Sequence, residues 1–125
     1  MFKSIFKVLN RKKISSIEKY AKIRGVSEHD LKQASVTELM RYPEATAITI
    51  LDNYKQLISS GLNERDAINK IESVRSNVNP GIDKAPQNIT EYVVFRVGVE
   101  HSNLQLLNPD DANHIKYLVN DYLSG

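Results

Sequence analysis

Residues 43–74 constrain this chain more than any other stretch. Pro43 suits a first helical position, and Ala47, Ile48, Leu51, Tyr54, Leu57 and Ile58 recur at helical spacing as far as Ser60. Gly61 then ends the helix and Asn63 caps another, whose first turn carries Glu64 and Asp66 at its positive end and whose apolar stripe is Ala67, Ile68, Ile71 and Val74. Two amphipathic rods joined by so short a loop make a helical hairpin. Neither rod can bury its stripe on the other alone, so further helices are required to complete a core.

The flanking segments supply them. Phe2, Ile5, Phe6 and Leu9 fall at i, i+3, i+4 and i+7, with Lys3, Lys7 and Arg11 as a second row at spacing four. That pattern stops near Asn10. Ser15-Ser16-Ile17-Glu18 reads as a capping box that opens a new helix to Arg24, with Ile17, Tyr20, Ala21 and Ile23 apolar and Gly25 as its stop. Ser27 with Asp30 predicts a short helix through about Ala34, and Ser35-Val36-Thr37-Glu38 another that ends before Pro43. NVNPGIDKAPQ, residues 77–87, has the prolines and glycine of a loop.

Residues 91–101 carry two signals. Val93, Phe95, Val97 and Val99 alternate with Val94, Arg96, Gly98 and Glu100 as in a strand. Asn88-Ile89-Thr90-Glu91 is a helix start, however, and His101 falls where a cation suits a helix end. A strand here has no partner unless 104–107 folds back onto it, so a helix buried nearly all round is preferred. The last helix begins at Pro109 with Asp110 and Asp111, and Ile115, Leu118, Val119, Tyr122 and Leu123 line it. The expected fold is all-α, a single domain over 1–125 of about six or seven helices, with 1–13 a basic amphipathic helix. The alternative is α+β, with one small hairpin at 92–107.

Charge is unevenly spread. Residues 1–24 hold eight Lys/Arg against Glu18 alone, a balance of +7, while the other 101 residues hold nine against fourteen acids, a balance of −5. Either the N-terminal part meets an anionic partner or the two parts neutralise each other. The chain has no cysteine, which removes disulfides and thiolate chemistry. Its apolar runs are far shorter than the ~20 residues that span a bilayer. Lys3 and Lys7 interrupt any secretory apolar stretch, so a cytoplasmic location is expected, with peripheral attachment at the inner membrane face as an option.

Enzyme signatures are missing: there is no P-loop, GxGxxG, GxSxG or HExxH pattern. Adjacent Glu28, His29 and Asp30 point about 100° apart on a helix and do not act together. Asp110, Asp111 and His114 share a helix face, yet only Glu100 and His101 remain to complete a metal site, so acids at a helix start followed by a surface histidine is the simpler account. No catalytic residue, metal ligand, cofactor or small-molecule substrate is inferred.

YAKIRGVSEHDLKQA, residues 20–34, resembles a helix-turn-helix in Ala21, in Gly25 at the turn and in Leu31 inside the second helix. Its second helix would offer Glu28, His29 and Asp30 to phosphates, which disfavours nucleic acid as the ligand. The opening segment is the stronger binding candidate. Phe2, Ile5, Phe6 and Leu9 stand apart from Lys3, Lys7, Arg11, Lys12 and Lys13, as an interfacial helix requires. Each basic residue contributes roughly 1 kcal/mol at an anionic surface, and each buried phenylalanine roughly 1.5–3 kcal/mol. The same apolar row also suits packing on the core. These nine residues form the candidate contact surface of a small non-enzymatic interaction or regulatory protein. Its expected partner is a protein with an acidic surface, with an anionic membrane and then nucleic acid as alternatives. An immunity- or antitoxin-type role fits the size and the lack of motifs.

Overall fold

A computed structural model describes residues 11–78, 84–101 and 109–124. These form seven helices: α1 (Arg11–Arg24), α2 (Glu28–Gln33), α3 (Val36–Leu39), α4 (Pro43–Ser59), α5 (Glu64–Val78), α6 (Ile89–Glu100) and α7 (Pro109–Ser124). The described residues contain no strand, so the all-α expectation holds and the small hairpin does not. Phe2, Lys3, Ile5, Phe6, Lys7 and Leu9 lie outside the described residues.

Helix α4 is the axis of the packing, touching α1, α5, α6 and α7. Pro43 starts it, as its fixed φ and missing N–H allow. Its first half is covered on every side but that of the partly exposed Thr49: Ala45, Ala47, Ile48, Ile50 and Leu51 are all fully buried. Alanine at two of these positions lets neighbouring backbones approach closely, while the branched residues fill the space between them. Ile17, Tyr20 and Ala21 of α1, Ile68 and Ile71 of α5, Val93 and Val97 of α6, and Leu118 and Val119 of α7 close around it.

The helix ends follow the sequence signals closely. Gly61 has φ +108°, its N–H bonds Ile58 O at 3.0 Å, and the Leu62 N–H bonds Leu57 O at 3.1 Å. Gly25 repeats this at φ +110°, with its own N–H on Lys22 O and that of Val26 on Ala21 O. Both are Schellman caps, in which a left-handed residue redirects the chain. Ser27 Oγ accepts from Asp30 N, Ser35 Oγ from Glu38 N, Asn63 Oδ1 from Asp66 N and Asn88 Oδ1 from Glu91 N.

Four readings need correction. The Ser15–Glu18 capping box starts nothing, because α1 already runs through it from Arg11. Lys13, Ile17, Tyr20 and Ala21 bury one continuous face, and that face carries the helix past the local signal. Second, α5 continues through residues 77 and 78, where the sequence predicts the start of the loop. Third, Ile23, Ile58 and Val74 are exposed although their spacing placed them on buried stripes. Fourth, His101 ends α6 as a buried residue with Thr46 Oγ1 2.7 Å from its Nε2, and burial lowers its pKa. It is therefore a neutral cap, not a cation.

Inside α6, Arg96 is fully buried. Its guanidinium meets Glu72 Oε1 at 3.2 Å, Glu100 Oε2 at 3.0 Å and the Arg75 carbonyl at 3.4 Å. Arg75 binds the same Glu100 through Nε at 2.7 Å and Nη2 at 2.5 Å, and Tyr92 Oη donates to Glu72 at 3.0 Å. This network ties α5 to α6, and every charge in it has an opposite partner.

Two stability outcomes follow from these contacts. At residue 61 an added Cβ would meet nothing within 4 Å, so Gly61→Ala carries the backbone penalty alone. It should cost about 1 kcal/mol by urea denaturation, with the fold retained. Arg96→Ala leaves Glu72 and Glu100 short of a cation and should cost roughly 3 kcal/mol or more in the same measurement.

Candidate functional site: the basic face of α1

Helix α1 presents six basic residues, and the structure divides them. Lys13 is buried, its Nζ 3.2 Å from Asp52 Oδ2 of α4. Arg24 reaches Glu44 of α4 with Nε on Oε2 and Nη2 on Oε1, and its guanidinium lies 5.9 Å from the Tyr42 ring centre. Lys19 Nζ is 3.2 Å from Asp121 Oδ2 of α7, and Lys22 Nζ is 3.8 Å from Glu28 Oε2 of α2. Much of the charge asymmetry is thus internal, with four cations of α1 facing acids contributed by α2, α4 and α7. Lys13 is removed from the contact surface by this result. An ammonium drawn out of water stays beside its carboxylate.

Arg11 and Lys12 behave differently. Both are exposed, and neither makes an ion pair among the described residues. Lys12 stands at the rim of a groove of about 440 Å³ between α1, α4 and α7. Lys19 and Lys55 also line it, over a floor that includes Tyr20 and Tyr122. Lys55 Nζ bonds Tyr122 O at 3.3 Å and sits 4.7 Å from the Tyr122 ring centre, which fixes a third ammonium at the mouth. Asp121 is the one acid among the lining residues, and it is occupied by Lys19 and by the Tyr20 hydroxyl. Tyr122 Oη donates to Asp52 at 3.2 Å, and burial with that neighbouring carboxylate pushes the Tyr122 pKa up to about 12. Both tyrosines therefore stay neutral, and the groove keeps a net positive charge.

At the opposite end of α1, Glu44 is fully buried at the start of α4. Burial alone would raise its pKa, but bonds from His114 Nε2, at 3.1 Å, and from Arg24 hold it below the ordinary value. The α-helix N-terminus adds to this preference for the anion. His114 is accordingly half-buried in a polar clamp and not a surface residue, which corrects the sequence reading. Among the described residues no cluster of three or more His, Cys, Asp or Glu could hold a metal ion.

Ala21, Gly25 and Leu31 take the places the helix-turn-helix resemblance gives them, a buried residue, the turn and a buried residue of the second helix, but that second helix is short and acidic. The second helix, α2, has six residues, and its exposed Glu28 faces Lys22 and Lys32. No helix among the described residues is long and apolar enough to cross a membrane.

The sequence does not single out Lys19, Lys55 or Asp121, and marks Tyr122 only as a core residue of the last helix, because only the packing of α7 beside α1 and α4 brings them together. Arg96 did carry a readable signal: a lone arginine in the apolar run VVFRVGV, with Glu100 four residues on. The chain matches no protein-family model, and no curated protein or solved structure matches it significantly.

The buried groups set the pH response. His101 is held neutral in the fold, whereas the unfolded chain takes up a proton near the ordinary value of 6.5. The unfolded state then binds more protons, so stability falls as pH drops below that value. Glu44 and Glu100 are both lowered from 4.5, burial being outweighed by their His or Arg bonds, so the stability they add is lost below that pH. Urea titrations from pH 7 to 5 should show a decline that His101→Gln reduces, while the decline below pH 4.5 persists in that variant.

Proposed function

We propose that this protein acts by binding a macromolecule, and that its partner is a protein with an acidic surface seated on the exposed basic end of α1 and the adjoining groove. The observation that carries this reading is the convergence of Lys12 and Lys55 at one mouth, together with the Asp121-paired Lys19 and with Arg11 next to Lys12 in the sequence, after Lys13, Lys22 and Arg24 have been consumed internally. A positive concavity over neutral aromatic rings favours carboxylates on a folded partner and accelerates encounter at low salt. The role is non-catalytic and regulatory, of the kind an immunity- or antitoxin-type protein performs.

A second reading has its own support: the amphipathic pattern of residues 2–9 leads directly into Arg11 and Lys12, which suits an anionic membrane surface.

One experiment separates the two. Wild-type protein and the Arg11→Glu/Lys12→Glu and Lys55→Glu variants are used for quantitative affinity capture from the native host, beside co-sedimentation with anionic vesicles. The expected result is an acidic protein partner whose affinity drops about tenfold or more on charge reversal, equivalent to about 1.4 kcal/mol, and weakens as salt rises. Capture indifferent to all three reversals would overturn the proposal, and vesicle binding abolished by Arg11→Glu/Lys12→Glu in place of protein capture would establish the membrane reading.

A further inference from the structure

On the other side of α4, helix α5 leaves its apolar stripe unfinished. Ala67, Ile68 and Ile71 are buried, but Val74 is 66% exposed and Val78 is 87% exposed. Grooves flank this ridge on both sides. One, of about 240 Å³, lies between α4 and α5 with Leu57 and Ile71 among its lining residues, and the other, of about 350 Å³, lies between α5 and α6 against Val78 and Glu100. Val74 and Arg75 belong to both. An aliphatic ridge between two grooves is the shape that packs against another helix.

The charges of this face restrict what that helix is. Arg75 is bound twice by Glu100, which leaves the pair neutral. Asn53 and Gln56 on the α4 side, and Ser73 and Asn77 on α5, are uncharged. Lys70 is the remaining charged residue of the α4–α5 groove. A surface that meets a copy of itself across a two-fold axis brings like against like, so a patch with strong net charge would repel its own image. This patch does not.

We propose that the C-terminal half of α5 is the contact face of a symmetric homodimer, in which two α5 helices cross antiparallel with Val74 at the two-fold axis. In that register residue 70 of one copy faces residue 78 of the other. Helix α5 ends at Val78, so the Lys70 ammonium meets the last-turn carbonyls of the second helix, where a cation is favoured. The two Lys70 side chains fall on opposite sides of the two-fold axis, about 12 Å apart along the helix direction at 1.5 Å per residue, and do not repel strongly. Each Val74 enters the groove beside Leu57 and Ile71 of the other copy. This face shares no lining residue with the basic groove of α1, so the two surfaces stand or fall separately.

The absence of native cysteine makes the test direct. Val74→Cys and Val78→Cys each introduce one thiol at an exposed position. A disulfide needs Cβ atoms about 4 Å apart, a separation that only residue 74 attains across the axis. Under mild oxidation the Val74→Cys protein should form a covalent dimer at least about tenfold faster than the Val78→Cys protein. Sedimentation velocity of the wild-type chain should show a concentration-dependent dimer, and Val74→Asp, with an unchanged circular dichroism spectrum, should be monomeric. A wild-type chain that stays monomeric up to millimolar concentration would overturn the proposal, as would equal oxidation rates for the two cysteine variants.

Discussion

The structure depends on burying the first half of α4 from nearly every side. A helix with no solvent-facing surface at its start needs neighbours all around it, and α1, α5, α6 and α7 supply them. That arrangement carries one costly passenger, the Glu44 carboxylate, which sits without solvent contact among apolar residues. An ionised carboxylate there is tolerable only with opposite charge and hydrogen bonds close by. Arg24 from the end of α1 and His114 from α7 provide both, so one buried anion joins residues 20 positions before it and 70 positions after it in the sequence. The clamp ties the C-terminal end of α1 to α4, as the Lys13–Asp52 pair ties its N-terminal part.

Polar groups do similar work elsewhere. Arg96 joins α6 to α5 through two carboxylates, and the Lys13–Asp52 pair joins α1 to the middle of α4. These bonds do not replace apolar burial as the source of stability. A slip of one helix against another would strand a charge, so these pairs penalise other arrangements. The pairing explains why a chain with so many basic residues near its start has a rather modest exposed basic surface.

How far the sequence foretells this can be followed element by element. The hairpin of α4 and α5, the caps at Ser27, Ser35, Asn63 and Asn88, and the stops at Gly25 and Gly61 are local facts, decided within four or five residues, and they were legible. The Ser15 capping box was an equally good local signal and was overridden, because burial of Ile17, Tyr20 and Ala21 outweighs a cap. Residues 91–101 alternated like a strand because nearly every face of α6 is covered, which erases the amphipathic period. Val74 continues its stripe as the spacing predicts, yet the stripe outruns the neighbours that bury Ile71. The candidate site was half legible: Arg11 and Lys12 could be named, whereas Lys55 and Asp121 join them only through tertiary packing, and Lys13 was lost to Asp52.

The tyrosines have a practical consequence. Tyr20, Tyr92 and Tyr122 each donate a phenolic proton to a carboxylate, on Asp121, Glu72 and Asp52 respectively, and the chain has six tyrosines and no tryptophan. A carboxylate acceptor quenches the emission of an excited phenol, so half of the fluorophores are dimmed by the folded state itself. Losing α7 from α1 and α4 releases two of them, and parting α5 from α6 releases the third. The molecule thus brightens as it comes apart, and its own ultraviolet emission reports helix separation without any attached dye.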